Sequence, residues 1–427
     1  MRSRQGKGWT HDMRSQGMPD ERGFTLVEIM VASVVVAVIV LAGMAALTVT
    51  GKTVRGNEQI SDAQQNARMA MEMITHDIKM AGYGPAIDPS KNPVPVGNCG
   101  IGGTPVPILP GDNNPAAADT GPDQISLTVP VTFYGGPGVP ATPPAWQTTA
   151  PIIVTGVAPF TAVNSVAINA AILPGMTAAG LGANSFISVG GVVETQLAAA
   201  VPAAPLALAA PVTGKIQIPT GTQIFILQCI TYQVIPQLAG GARGADLNNI
   251  CGGNAPCLVR GVANATVNSF GRVLPNCNVA NSPCLPIVNG IEDIQFAYAC
   301  DGCLLPGAGL SEPDGRIDDV SLNLIFDQAD YVSNQTWSTS PMTPSAIKMV
   351  QVAIVARQQL PDNGLGEGNQ QAGAGVLSTT FLTVADHAHA GGVFVAGDAA
   401  TQIPPYASVR RRVVTKTMET RNARPWS

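Results

Sequence analysis

The stretch Gly23-Phe24-Thr25-Leu26-Val27-Glu28 opens the longest apolar run of this 427-residue chain. From residue 24 to residue 50 the only charged side chain is that of Glu28, and the run contains no proline. A helix of about 27 residues is roughly 40 Å long, which exceeds the roughly 30 Å of a bilayer's hydrocarbon core. We therefore predict that residues 24–50 form a transmembrane helix.

The residues before this run are basic, and a small residue, Gly23, stands directly before it. Residues 1–22 carry five Lys or Arg side chains against three Asp or Glu, so the N-terminus is expected in the cytoplasm and the rest of the chain outside it. A secretory signal has its small residues after the apolar run, whereas Gly23 stands before it. Cleavage after Gly23 would remove residues 1–23 as a leader peptide and leave the apolar helix on the protein.

Glu28 then lies in the bilayer, where a lone carboxylate costs a few kcal/mol. The nearest available cation is the α-amino group that cleavage would create at Phe24. In a filament, Glu28 of one subunit could neutralise that amine on its neighbour and so set the axial register of the two subunits.

Residues 23–28 resemble the N-terminal signal of type IV prepilins and of type II secretion pseudopilins. The resemblance implies cleavage after Gly23 by prepilin peptidase, N-methylation of Phe24 and packing of the helix into a filament core through Glu28. The alternative is a plain single-pass anchor in which the glutamate is incidental.

The helix is predicted to continue beyond the membrane, through an amphipathic periplasmic half at residues 51–83. Its apolar positions recur every three or four residues, and Gly82 and Pro85 end it. We expect a helix over residues 24–81, softened or broken near Gly43 or Gly51. The predicted apolar face comprises Ile60, Ala63, Ala67, Ala70, Ile74, Ile78 and Ala81.

Part of this half resembles PilW-type minor pilins and, more loosely, J-type pseudopilins. The resemblance is carried by Arg68 and by the run from Asp77 to Tyr83, in which Lys79 replaces the usual arginine. We expect Arg68 and Asp77 to have structural roles, as solvated or ion-paired positions of the helix.

The composition restricts the fold and the function classes. Charged residues make up 12% of the chain, with 46 Gly and 35 Pro, which argues against a helical bundle or coiled coil. A hydrophobic fraction of 45% argues against disorder, and a net charge of −5 argues against binding of nucleic acid. No catalytic constellation is present, so we expect no enzyme. The predicted class is α+β, with the long helix packed on an antiparallel β-rich, pilin-like head.

Residues 84–221 are predicted to be a low-charge Pro/Gly/Ala-rich insertion of loops and strands. Residues 85–122 and 198–211 are expected to be loops. The region between about residues 135 and 215 is either a separate β subdomain or a set of loops on the pilin sheet. It is either an ordinary variable segment or a binding surface at a filament tip. Strands are expected at residues 124–133, 151–157, 185–194 and 222–234.

Residues 222–427 are predicted to form a disulfide-containing, β-rich pilin module. A turn followed by a strand is expected at residues 287–298, and further strands are expected at residues 347–356 and 407–420. Their order resembles the C-terminal module of PilW-like proteins, with Arg357 at the end of the second strand and Arg411-Arg412-Val413 in the third.

Eight cysteines follow the membrane helix, and an exported head makes disulfides the default for them. Local bonds Cys251–Cys257, Cys277–Cys284 and Cys300–Cys303 agree with the spacing, although spacing alone cannot choose among pairings. Cys300 and Cys303 also have the spacing of half a zinc site or of a redox pair, both of which we favour less. The eight are Cys99, Cys229, Cys251, Cys257, Cys277, Cys284, Cys300 and Cys303.

One acidic turn invites a calcium interpretation. Asp314, Asp318 and Asp319 surround a glycine, with Glu312 and Asp301 as further oxygen ligands, but the full calcium-loop pattern is absent. A solvated acidic turn is the favoured alternative, and we expect no other cofactor. His387 and His389 lie on one side of an extended segment, but no further ligands are identifiable for a metal there.

The predicted function is that of a PilW-like minor pilin that helps initiate type IV pilus assembly at or near the pilus tip. The alternatives are a J-type pseudopilin of a type II secretion system and a pilus-tip adhesin. The expected partners are other minor pilins, the major pilin, prepilin peptidase and the inner membrane. The expected location is the inner membrane with a periplasmic head and, after assembly, the pilus and cell surface of a Gram-negative bacterium.

Overall fold

A computed structural model gives the fold of the chain in two compact units, Met1–Gly56 and Asn57–Ser427. The residues that the structure describes are 25–82, 100–101, 104–105, 107–111, 122–131, 147–154, 163–178, 186–191, 193–198, 203–212, 216–235, 256–262, 284–303, 314–333, 337, 346–358, 382–384, 387–389 and 411–420.

The long helix, α1, runs without interruption from Leu26 to Met80, over 55 residues. The predicted span is confirmed to within two residues, but the predicted break near Gly43 or Gly51 is wrong. A glycine inside a helix costs only about 1 kcal/mol, which the other backbone hydrogen bonds of a helix this long can absorb. Within the described residues, one helix, α1, is both long enough and apolar enough to cross a membrane. The most apolar stretch of α1 is fully exposed.

The second half of α1 packs on the head through the face that the periodicity predicted. Small side chains dominate that face, which lets the helix backbone approach the sheets closely. The helix ends at Gly82, whose φ of 70° is readily adopted by glycine. The buried residues of α1 are Ala63, Ala67, Ala70, Met71, Ile74, Thr75 and Ile78, whereas Ile60 is half-buried.

Short antiparallel strands make up most of the rest of the described chain. A short helix, α2 (Leu173–Ala178), lies between β6 and β7 and is preceded by a 3₁₀ turn at Ala170–Ile172. The strands are β1 (Gly100–Ile101), β2 (Thr104–Pro105), β3 (Ile108–Gly111), β4 (Gln124–Val131), β5 (Ile152–Val154), β6 (Val163–Val166), β7 (Phe186–Val189), β8 (Val193–Gln196), β9 (Leu206–Val212), β10 (Ile216–Ile218), β11 (Ile224–Ile235), β12 (Cys257–Val262), β13 (Cys284–Asn289), β14 (Ile291–Cys300), β15 (Ile347–Arg357), β16 (Leu382–Val384), β17 (His387–His389) and β18 (Arg411–Glu419).

Two sheets and α1 form the main core. The larger sheet has the order β13-β12-β11-β4-β3, and β7 with β8 extends it beside the first residues of β11. The smaller sheet has the order β14-β15-β18. The near-continuous apolar run of β15 fits its burial, since nine of its eleven residues are buried. All of these pairings are antiparallel, so the predicted α+β class is confirmed.

Residues 152–224 contain a second hydrophobic core of their own. It is built from α2, the strands β5 to β10 and the first residue of β11, with Met176, Ile187 and Val189 fully buried in it. This core favours the separate subdomain over the loops, but β7 and β8 pair into the main sheet, so the choice between the two alternatives stays a prediction. The strands β3 and β4, which precede residues 152–224 in the sequence, also belong to the main sheet.

One strand prediction and two loop predictions differ from the structure. Where one strand was expected over residues 185–194, β7 and β8 form a hairpin, because Gly190 and Gly191 adopt φ values of 63° and 70° and turn the chain. Two expected loops contain strands, since β3 lies within residues 85–122 and β9 begins within residues 198–211 and ends at Val212. Each of these strands contains a proline, which weakens its β pattern, and pairing with a neighbouring strand overrides this.

Candidate functional site

The start of α1 places Glu28 in the first turn of the helix, with its side chain exposed. Glu28 Oε2 accepts hydrogen bonds from the backbone N–H and the hydroxyl of Thr25, at 2.9 and 3.0 Å. The Thr25 hydroxyl oxygen in turn accepts from the N–H of Glu28 at 3.3 Å. This reciprocal arrangement is a capping box, and it satisfies helix-start donors that would otherwise lie bare in an apolar medium.

Glu28 is therefore held one turn from the segment that precedes the helix. An acidic side chain in the first turn also interacts favourably with the positive end of the helix dipole. The predicted processing residues Gly23 and Phe24 lie outside the described residues, so their roles remain predictions. What the structure adds is an exposed carboxylate, oriented by Thr25, at the start of an apolar helix.

Asp77 connects α1 to two strands of the main sheet. Its Oδ2 atom accepts from the Tyr232 hydroxyl at 2.5 Å and from Arg260 Nε at 3.0 Å. Its Oδ1 atom lies 3.1 Å from His76 Nδ1. Burial, followed by the Asp77 carboxylate, raises the pKa of Tyr232 above its ordinary value. Asp77 is therefore ion-paired and Arg68 is exposed on the helix surface, and both fit the structural roles that we predicted.

A buried ion cluster joins the three strands of the smaller sheet. Arg357 and Arg411 are directly opposite each other on β15 and β18. Glu292 on β14 accepts hydrogen bonds from Arg411 at both carboxylate oxygens, at 2.5 Å from Nε and 2.8 Å from Nη2, and its Oε1 atom lies 3.7 Å from Arg357 Nη1. The side chains of Glu292 and Arg357 are 0% and 1% exposed. The two arginines of the predicted PilW-like module therefore converge on one carboxylate.

The described cysteines are in disulfides. Cys300 is bonded to Cys303, as the local spacing suggested. Cys229, Cys257 and Cys284 are also disulfide-bonded. Cys99, Cys251 and Cys277 lie outside the described residues, so the predicted bonds Cys251–Cys257 and Cys277–Cys284 remain predictions.

The acidic turn uses its carboxylates to hold backbone N–H groups. Asp318 Oδ2 accepts from Gly302 and Cys303, and Asp314 Oδ1 accepts from Arg316. Asp319 also accepts backbone hydrogen bonds within its own loop. Among the described residues no group of three or more His, Cys, Asp or Glu side chains could hold a metal ion. Calcium binding by Asp314, Asp318 and Asp319 thus stays a prediction without support from the geometry.

The two histidines considered as metal ligands, His387 and His389, lie on β17, which pairs with β16 in a two-stranded sheet. Sequence reasoning missed Tyr232, Arg260 and Glu292 as members of the ion clusters. Of these three residues, only Glu292 could have been inferred from the sequence. Two arginines on strands of one sheet need an acidic side chain nearby if they are buried.

The comparisons with known proteins concern the N-terminal segment. Residues 18–44 match the family model of the prokaryotic N-terminal methylation motif. A pilin-like protein of Thermus thermophilus, PilA3, is 37% identical over 62 residues. That match covers 14% of this chain and 27% of the Thermus protein, so the chain spans about a quarter of that relative's length. No solved structure matches the chain.

The matched motif includes Gly23, Phe24 and Glu28 and ends inside the apolar half of α1. Pilins are structural proteins, which agrees with the prediction that the chain is no enzyme. The methylation motif, the apolar helix behind it and the likeness to a pilin-like protein make the N-terminal segment of the chain similar to that of type IV pilins.

Proposed function

We propose that the chain is a PilW-like minor pilin that helps initiate assembly of a type IV pilus and is located at or near the pilus tip. The observation that carries the proposal is the exposed Glu28 carboxylate in the first turn of a 55-residue helix that begins within the methylation motif. In this proposal prepilin peptidase cleaves after Gly23, Phe24 is N-methylated, and the α-amino group pairs with Glu28 of a neighbouring subunit.

The size of the head supports a minor rather than a major subunit. Residues 57–427 contain a main core and the second core at residues 152–224. A head of that volume would pack poorly at every position of a filament but is accommodated at its end. The proposed partners are other minor pilins and the major pilin, with the head in the periplasm of a Gram-negative cell until assembly.

The second core favours one further candidate function, that of a tip adhesin. A subdomain with its own packed interior can present a binding surface without disturbing the pilin sheet. This function is compatible with the first and would be recognised by binding of the isolated chain to a surface other than pilus subunits. A J-type pseudopilin of a type II secretion system is the remaining alternative, because both systems use the same N-terminal signal.

The test is deletion of the gene followed by complementation, with surface pili and type II secreted enzymes measured in parallel. Lost pili with intact secretion supports the proposal, and lost secretion with intact pili reverses it in favour of a pseudopilin. Intact pili and intact secretion would favour the adhesin.

The role of Glu28 is tested by complementation with Glu28→Gln and with Glu72→Gln. Glu72 is an exposed glutamate on the same helix but outside its apolar half. We expect Glu28→Gln to fail to restore the lost function and Glu72→Gln to restore it. Equal rescue by both variants would contradict the charge-pairing role of Glu28.

A further inference from the structure

Residues 322–326 expose a run of large apolar side chains on the head. The exposed fractions are 60% for Leu322, 94% for Leu324, 67% for Ile325 and 43% for Phe326. We call these four residues the apolar tip. Other large apolar side chains exposed in the described part of residues 57–427 are scattered in ones and twos, as at Leu285 and Val413. Contiguous exposed apolar groups mark interaction sites on soluble surfaces.

The backbone of the apolar tip is held in one shape by polar side chains. Asp319 accepts hydrogen bonds from the N–H groups of Asn323 and Leu324, at 3.1 and 2.5 Å. Asn323 Oδ1 accepts from the N–H of Ile325 at 2.8 Å, and Asn323 Nδ2 donates to Asp327 at 2.9 Å. A surface that is ordered before binding loses little conformational entropy when a partner docks.

Two leucines of the apolar tip adopt a backbone conformation that favours glycine. The φ angles are 58° at Leu322 and 71° at Leu324. Glycine or asparagine would relieve the backbone there, and a polar side chain would be better solvated. The fold gains nothing from leucine at these exposed positions, and local departures of this kind are typical of functional sites.

The loop that carries the apolar tip is fixed to the smaller sheet. Tyr298 on β14 and Val332 exchange two backbone hydrogen bonds of 2.8 Å. The side-chain amides of Gln328 and Gln351 exchange two more, at 2.7 and 2.8 Å. The apolar tip therefore has a defined place relative to β14 and β15 and presents a constant surface to a partner.

The charge around the apolar tip restricts what can cover it. Residues 314–333 contain one arginine and five aspartates, of which Asp330 is fully buried, so the charges that reach the surface sum to −3. An anionic lipid surface would be repelled, and two copies of this loop would bring two acidic rims together. The apolar centre and the acidic rim are instead complementary to an apolar pocket surrounded by cations.

We propose that the apolar tip docks into a pocket on a different protein subunit, and that this pocket is apolar at its centre and lined by lysine or arginine at its rim. The inference goes beyond the proposed function and holds for a subunit of either a pilus or a secretion pseudopilus. The docking proposal is tested by the contacts that the loop makes, whereas the proposed function is tested by pili and secretion in a deletion strain. One proposal can therefore be contradicted while the other is supported.

The experiment places a photoreactive phenylalanine at residue 325 of the full chain in its own cells. After illumination, the adduct is identified and the cross-linked peptide is sequenced. We expect one protein adduct that is not a second copy, joined at a surface with apolar residues and nearby lysine or arginine. Adducts with lipid or with a second copy, or no adduct, would overturn the proposal.

The identified subunit is then purified and its affinity for the full chain is measured in detergent micelles. We expect Leu324→Ser to weaken binding by about tenfold or more, and Leu285→Ser, a control at 61% exposure, to leave it unchanged. Affinity should also fall as NaCl rises from about 50 to about 500 mM, because the rim contacts are ionic. Unchanged binding of Leu324→Ser would contradict the proposal.

Discussion

Gly290 is the residue on which the junction between the two sheets depends. It joins β13 to β14 at a φ of 81°, donates its N–H to Pro256 and accepts from the N–H of Arg357. A Cβ at this position would lie 2.8 Å from the carbonyl oxygen of Arg357. Both the backbone conformation and the lack of space therefore require glycine.

We predict that Gly290→Ala destabilises the chain by clearly more than Gly315→Ala. Gly315 has a similar φ of 86°, but a Cβ there meets nothing within 4 Å. Gly315→Ala, the control, should lower the free energy of unfolding by about 1–2 kcal/mol because of the left-handed conformation alone. Gly290→Ala adds a clash between the new Cβ and the backbone of Arg357. Urea unfolding in mild detergent measures the difference, and equal losses would show that the close approach to Arg357 is unimportant.

Tyr232 makes stability depend on pH. Burial and then the Asp77 carboxylate raise its pKa in the folded chain above the ordinary value of 10.0. Below pH 10 the phenol is neutral in both states, and the stabilisation is fully present. Above it the unfolded chain releases the proton that the folded chain keeps, so the free energy of unfolding falls by up to about 1.4 kcal/mol per pH unit.

Tyr232→Phe should remove this component of the pH dependence. The measurement is the free energy of unfolding of both proteins between pH 8 and pH 11, because the difference between them cancels the titration of other groups. If the two curves stay parallel above pH 10, the hydroxyl titrates alike in the folded and unfolded chains.

For single residues, the sequence predicted which positions are structurally important better than it predicted which side chains contact them. Asp77 and Arg357 were recognised as motif residues, but Tyr232 and Arg260 are 155 and 183 residues away from Asp77 in the sequence. Spacing informs only about neighbours along a helix or strand. Glu28 was predicted from a local pattern, and the capping box with Thr25 is a local contact of the same kind.

Among the elements, β14, β15 and β18 are joined at one end by the Glu292 cluster. The Glu292 carboxylate faces the guanidinium groups of Arg357 and Arg411, and all three side chains are at most 5% exposed. A buried charge that loses its partner is destabilising because no water replaces the lost contact. The cluster therefore selects the register in which Arg411 lies opposite Arg357.

We predict that Arg411→Met costs about 3–5 kcal/mol of unfolding free energy. The matched control is Arg412→Met, since Arg412 is the next residue of β18 and is exposed, and it should change stability by less than about 0.5 kcal/mol. Urea unfolding of both variants provides the comparison. Similar effects at the two positions would mean that the ion pair with Glu292 contributes little.

Element boundaries followed from periodicity wherever the pattern was long. The ends of α1, β11 and β15 were predicted to within about two residues. The hairpin of β7 and β8 was missed because the double glycine lies inside a continuous β-branched run. The short strands β3 and β9 have no strong local signal, and pairing with distant strands stabilises them.

Among the described residues of the head, the main core and the second core both include residues of β11, and a smaller apolar cluster of Ile235, Cys257, Val259 and Cys284 lies at the end of that strand. Ile224 at the start of this strand belongs to the second core, whereas Ile230 and Tyr232 further along belong to the main core. The composition indicated a strand-rich head. It could not indicate two separate cores, because these depend on which distant strands pair with each other. Regions with separate apolar interiors often open as separate units.

We predict that the second core loosens without the main core. Ile187→Ala removes a fully buried side chain from the second core and should destabilise it by about 2–5 kcal/mol. Amide hydrogen exchange should then speed up in β7, β8 and β9 while β15 remains protected. The matched control is Ile354→Ala in the main core, which should speed exchange in β14, β15 and β18. If Ile187→Ala accelerates β15 as much as β7, the shared strand couples both cores into one cooperative unit.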